Sequence, residues 1–250
     1  MTNKYSSISF SKNNKIANLS KHMFGTNLEH IGDAIYRNGI WGEVIKNRKF
    51  CGPDKLVWNN GLEHDHLDFG IIQPWTGFNA SAKHVMYAHS NSEYITKGEE
   101  VVSRYGSGKQ SQQITIREKS TLNRGVQQKI FLTDPKDEFN FSIITKGENQ
   151  KIFIEIGEVK FSFFSKKKLQ KYTKKIKFKK NNSNKRICIS IKSGNIYIAN
   201  CSLMPQDTIH GFRKDITEMI KEWTPSYIRW PGGNFLSGYN WLNGIGNKDL

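Results

Sequence analysis

The feature that most constrains this chain is a change of hydrophobic period. The stretches "QQITIRE", "KIFIEIGEVKFSFF", "KKIKFKK", "RICISIK" and "NIYIAN" alternate apolar and polar residues, each bounded by Gly, Asn, Asp or Ser turns. Period two puts successive side chains on opposite faces of an extended chain, one face for a core and one for water. Short strands at this density, with no helical pattern between them, predict an antiparallel, jelly-roll-like β-sandwich from about Asp68 to Leu203.

The charge follows the same segment. The formal net charge is +16, and between Val159 and Gln206 there are thirteen Lys and Arg and no Asp or Glu. The basic character is therefore local, and in "KIKFKK" the lysines fall on the polar side of the alternation. With Tyr172 and Phe178 interleaved, the run from Lys166 to Arg186 could serve nucleic acid. A solvated lysine face explains the same pattern with fewer assumptions, so no nucleic-acid partner is expected.

On either side of the sandwich the pattern differs. From Ile8 to Leu67, "HMFGTNLEHIG" reads as a short buried strand opening into a polar loop. After it, Ile35, Ile40, Trp41, Val44 and Ile45 recur at mostly helical spacing and predict a short helix, weakened by Gly39 and Gly42. Beyond Leu203, Phe212, Ile216, Met219 and Ile220 mark one face of a second helix. That helix runs through Thr224-Pro225 into a strand carrying Arg229 and then into the turn Pro231-Gly232-Gly233-Asn234. Helix, loop, strand and a loop at the strand's C-terminal end compose part of a (β/α)₈ repeat, whose working residues sit where strands end. Glu29, Arg229 and Asn234 occupy such places. An Arg there can hold a carboxylate ionised, and Asn and Glu can divide donor and acceptor duties toward sugar hydroxyls. An internal Arg–Glu pair with an amide capping the turn is the structural alternative.

These residues also carry a resemblance. "FGTNLEHIGDAIYRNGIW" together with "SLMPQDTIHGFRKDITEMIKEWTPSYIRWPGGNFLSGYNWLNGIG" resembles the N-terminal part of family 51 glycoside hydrolases, the α-L-arabinofuranosidases, in members with an inserted carbohydrate-binding-module-like sandwich. The resemblance covers about 80 residues and departs at Asn243, where the family usually has Asp in its D-G-I-G loop. It implies a TIM barrel begun by residues 1–67, interrupted by a sandwich at 68–203, and resumed at 204–250. It implies a retaining mechanism with two glutamates about 5–5.5 Å apart, both expected beyond Leu250, so the chain alone is expected to be inactive. At the matching positions it implies that Glu29 and Asn234 contact arabinofuranosyl hydroxyls, that Arg229 orients the nucleophile, and that Tyr239 and Trp241 shape the pocket wall. Arabinose-containing glycans are the expected partners, without cofactor or metal, and an oligomer is admissible for the full-length enzyme.

The remaining signals narrow the function further. No run of 18 apolar residues suggests a membrane span, and "MTNKYSSISFSKNNKIANLS" has no apolar signal core. A cytoplasmic location is therefore expected, provided Met1 is the true start. Cys51, Cys188 and Cys201 lack CxxC spacing and read as reduced thiols. "EHDH" at Glu63 to His66 lacks the spacing of a metal site and reads as a polar loop. A carbohydrate-binding module without enzymatic activity is the competing reading; exposed coplanar aromatics would favour it, with Trp75 and Phe78 as candidates.

Overall fold

The computed structural model describes residues 8–9, 17–29, 32–35, 39–50, 67–91, 110–118, 121–233 and 236. Two five-stranded antiparallel sheets dominate it. In chain order the elements are β1 (Thr26–Asn27), α1 (Gly32–Ile35), β2 (Thr76–Phe78), β3 (Val85–Asn91), β4 (Gln110–Ile116) and β5 (Arg124–Phe131). Next come β6 (Glu138–Gly147), β7 (Lys151–Ile156), β8 (Val159–Phe164), β9 (Gln170–Lys177), β10 (Asn184–Ile191) and β11 (Asn195–Pro205). They are followed by β12 (Thr208–Ile209), β13 (Phe212–Arg213), α2 (Lys214–Trp223) and β14 (Ile228–Arg229). One sheet runs β2-β5-β10-β7-β8 and the other β3-β4-β11-β6-β9.

The alternation read from sequence is what packs the sheets together. Ile152, Ile154 and Ile156 of β7, with Ile187, Ile189 and Ile191 of β10, face Ile114, Phe141, Ile143, Ile196 and Ile198 of the opposite sheet in one buried cluster. Each fully buried side chain of this kind contributes roughly 1.5–3 kcal/mol relative to exposure. The β7–β8 hairpin closes through two residues, Gly157-Glu158, and Gly157 at φ 56 takes the left-handed conformation such a turn demands. The lysines of β9 lie on an edge strand, where charge blocks pairing with another sheet. Lys174 of that strand lays its ammonium over the Phe161 ring at 5.3 Å.

Of the helix expected across Ile35–Ile45, the described residues show helix only in α1; Ile40 to Val44 run as an irregular strap that turns at Lys46–Lys49. Tertiary partners outcompete helical spacing here. Arg213 N–H donates to Ile40 O (2.8 Å), Gly42 N–H to Gly211 O (2.9 Å) and Val44 N–H to Leu203 O (3.2 Å). A Cβ on Gly42 would come within 3.1 Å of both Gly211 O and Thr208 Cγ2, so a larger residue would need those neighbours to give by a few tenths of an ångström. The apolar residues then serve different neighbours. Trp41 meets Phe212 edge-on, whereas Ile45 and Phe50 enter the sandwich core. Glu43, inside the strap, accepts from Ser202 Oγ (2.5 Å), Leu203 N (2.8 Å) and Ile45 N (3.0 Å), with Arg48 Nη1 4.0 Å away. Burial pushes its carboxyl above the usual range, against these hydrogen bonds and Arg48.

Outside the sandwich, β1 and β14 pair in parallel, Thr26 with Ile228 and Asn27 with Arg229. Helix α2 precedes β14, ends on Thr224 at φ 46, and buries none of its residues. Two paired strands and a helix do not by themselves make a barrel, and the structure shows no further parallel strand among the described residues. No helix of the described residues is long and apolar enough to cross a membrane.

Candidate functional site

The ladder between β1 and β14 brings residues more than 200 apart in sequence side by side. Thr26 N–H donates to Tyr227 O, Leu28 N–H to Arg229 O and Ser226 N–H to Phe24 O, each at 3.0 Å. Asn27 and Arg229 are direct register partners, and Glu29 follows Asn27 by two residues, so all three project to the same side. The turn after Trp230 folds back over that side. Gly232 (φ 65) and Gly233 (φ 59) both take the left-handed conformation. A Cβ on Gly232 would lie 2.4 Å from Asn27 Oδ1, and one on Gly233 would lie 2.7 Å from Glu29 Oε2. Their left-handed dihedrals favour glycine at both positions, and any side chain there would also have to displace the tips of Asn27 and Glu29.

The polar groups divide their roles clearly. Asn27 Nδ2 donates to Glu29 Oε1 at 3.1 Å. Glu29 is half-buried, while Arg229 is exposed and forms no ion pair among the described residues. Among the described residues, the internal Arg–Glu pair weighed as an alternative is not formed. An amide donor, a carboxylate acceptor and an uncommitted guanidinium share one face beside a tight turn. Such a set can bind hydroxyls and attract an anion.

Glu29 and Arg229 are brought together; Asn234 directly follows Gly233 in sequence, but Asn234, Tyr239, Trp241 and Asn243 lie outside the described residues. So do Cys51 and Glu63 to His66. Asn27 was missed by sequence reasoning, although its place two residues before Glu29 on a strand was a usable signal. Trp75 is corrected: it is fully buried, stacked on Phe50 with ring centroids 5.0 Å apart, and cannot serve as an exposed platform. Phe78 is half-buried, with the Arg186 guanidinium 5.7 Å from its ring.

With this geometry established, comparisons with known proteins find short, strong similarities. Over 45 residues, 18% of this chain and 9% of the relative, it is 51% identical to an exo-α-(1→6)-L-arabinofuranosidase of Bifidobacterium longum. Over 42 residues, 17% of this chain and 8% of the relative, it is 57% identical to the intracellular exo-α-(1→5)-L-arabinofuranosidase 1 of Bacillus subtilis. The matched stretch spans less than a tenth of each relative's length. No protein-family model matches the chain. Among solved structures, the carbohydrate-binding module TmCBM61 in complex with β-1,4-galactotriose aligns at TM-score 0.38 and 16% identity, over 58% of this chain and 97% of that one.

Proposed function

We propose that Glu29, Arg229 and the Pro231–Gly233 turn belong to the sugar subsite of a retaining family 51 α-L-arabinofuranosidase. In this reading residues 1–67 supply the first strand and helix of a (β/α)₈ barrel, 68–203 an inserted sandwich, and 204–250 the next helix, strand and loop. Glu29 and Asn234 bind arabinofuranosyl hydroxyls, Arg229 orients the nucleophile and keeps it charged, and Tyr239 and Trp241 wall the pocket. The acid/base and nucleophile glutamates come from outside these 250 residues. The β9 lysines guard a sheet edge and are not a nucleic-acid surface.

The observation that supports this most is the seating of Gly232 and Gly233 against Asn27 and Glu29, beside an Arg229 that has no carboxylate partner among the described residues. Arg229 is exposed, so its guanidinium is solvated without a partner and stays available to an anion that reaches this face. The short identities to arabinofuranosidases point the same way. The test is to titrate the 250-residue chain with methyl α-L-arabinofuranoside and to assay it with a chromogenic arabinofuranoside. Binding without turnover is expected, because hydroxyl-binding groups do not supply the acid and nucleophile that cleavage needs. Binding should weaken in Glu29→Ala. Turnover by this chain, or equal binding by Glu29→Ala, would overturn the reading.

A further inference from the structure

Between the two halves of the site stands an amide with a contact at each end. Asn27 Nδ2 donates to Glu29 Oε1 at 3.1 Å, while its Oδ1 faces Gly232 so closely that a Cβ there would lie 2.4 Å away. Asn is depleted in strands, yet this one sits in β1, exposed, directly across from Arg229. An exposed amide with no task would be satisfied by water. This one is committed to the carboxylate on one side and to the turn on the other.

We infer that Asn27 is a positioning residue, fixing which oxygen of Glu29 is left for a sugar hydroxyl and setting how closely the Gly232-Gly233 turn approaches. The inference rests on the sugar-subsite reading above. Oε1 accepts the amide proton, so Oε2 is the oxygen with more lone pairs left for ligand; both lie beside the turn, 2.7 Å (Oε2) and 3.1 Å (Oε1) from where a Cβ on Gly233 would sit. The ligand-facing oxygen is therefore set by which of the two the amide holds, not by nearness to the turn. Only an uncharged donor suits position 27. A carboxylate there would face Glu29 at contact distance, and two like charges so close cannot both ionise easily. Among the described residues, the charged groups around the contact are Glu29 itself and Arg229 across the strand pair; Trp230, Gly232 and Gly233 of the turn add none.

Two measurements decide it. The first needs no sugar: the Asn27 side-chain amide protons, followed by ¹H–¹⁵N NMR, should shift in Glu29→Leu and in Gly232→Ala. An amide signal unmoved by both variants overturns the positioning role. The second uses methyl α-L-arabinofuranoside. Asn27→Ala should weaken binding about tenfold, equivalent to about 1.4 kcal/mol. Asn27→Asp should bind poorly at neutral pH and recover as pH falls into the carboxylate range, when a shared proton restores a donor at position 27. The unaltered chain should show no such recovery. A residue that merely filled space would leave the pH profile of the isosteric Asn27→Asp variant unchanged, and that outcome counts against the proposal. Should the unaltered chain bind no arabinofuranoside, the sugar reading fails and the amide signal alone decides the role of Asn27.

Discussion

The sandwich and the β1–β14 unit are built on opposite terms. In the sandwich, Ile152, Ile154, Ile156, Ile187, Ile189, Ile191, Ile196 and Ile198 are all fully buried, and backbone ladders run the length of ten strands. In the other unit the large apolar side chains stay in water: Met219 is 67% exposed, Trp223 73%, and Phe24 66%. Helix α2 has a clear apolar face, but among the described residues it packs mainly on the short strands β12 and β13 and buries none of its residues. The free energy of folding is therefore concentrated in the sandwich, while the candidate site sits on the unit with little burial of its own. Its geometry is held by a short parallel ladder, by glycine contacts and by the strap that joins it to β11.

The largest expected effect comes from the sandwich core. Ile154→Ala or Phe141→Ala should destabilise by about 2–5 kcal/mol, measured by denaturant unfolding, because each removes a buried side chain from a packed cluster. A loss below 1 kcal/mol for both would show that the sandwich is not where stability resides.

The strap comes next, since it joins the two regions. Glu43→Ala leaves the buried N–H groups of Leu203 and Ile45 without an acceptor, at a cost of roughly 1–3 kcal/mol. The pH dependence has a definite sign. The folded state raises the Glu43 pKa, so it binds the proton more readily than the unfolded chain. Its contribution is present below the ordinary carboxylate pKa and is lost as pH rises through the raised value. Glu43→Gln, which keeps two acceptor contacts and offers a donor to Ser202, should flatten that decline. Equal pH profiles for Glu43 and its Gln variant would contradict the assignment.

How much of this was legible in sequence depended on how local the cause was. Strands β4 and β7 to β11 announced themselves because alternation in a strand is a direct record of which side chains face inward. Helix α2 was readable from Ile216, Met219 and Ile220 for the same reason, while Phe212, read on the same face, lies in β13 just before it. The strap was not, because its conformation depends on Gly211, Leu203 and Arg213, more than 150 residues distant. Trp75, followed by a turn-like stretch, reads alike whether its ring points inward or outward; only the stacking on Phe50 decides. At the site, Glu29 and Arg229 were visible as strand-end residues. Asn27 shared their strand spacing but was passed over, since its contact with Gly232 exists only once the turn is folded against it.

A smaller effect is expected at the sandwich rim. Glu158 follows Gly157 in the β7–β8 turn and accepts from Lys179 N (2.9 Å), Lys180 N (3.0 Å) and Lys185 Nζ (3.0 Å). Burial opposes its ionisation, but these donors outweigh burial and hold the carboxyl at about 2. A lowered pKa gives stability that is present above the ordinary carboxylate range and lost as pH falls through the folded value. Glu158→Gln should cost about 1 kcal/mol at neutral pH. Acid titration of stability should bring the variant and the unaltered chain together near pH 2, and a gap that persists there would point to packing instead of charge.

The smallest expected effect tests the comparison most sharply. Trp223 ends helix α2, and its large ring is mostly in water. Trp223→Gln should change the stability of the 250-residue chain by less than about 0.5 kcal/mol, as surface substitutions away from special features do. Glutamine is also a good helix former, so helix propensity does not confound the result. Burying such a ring fully would be worth several times that limit, roughly 1.5–3 kcal/mol on the scale of other large apolar side chains. A loss of 1 kcal/mol or more in denaturant unfolding, or a tryptophan emission maximum that shows no loss of a solvent-exposed component, would mean the ring is covered in solution. The contrast between a self-sufficient sandwich and an uncovered site unit would then be wrong, because the apolar face of α2 would already have its partner within reach.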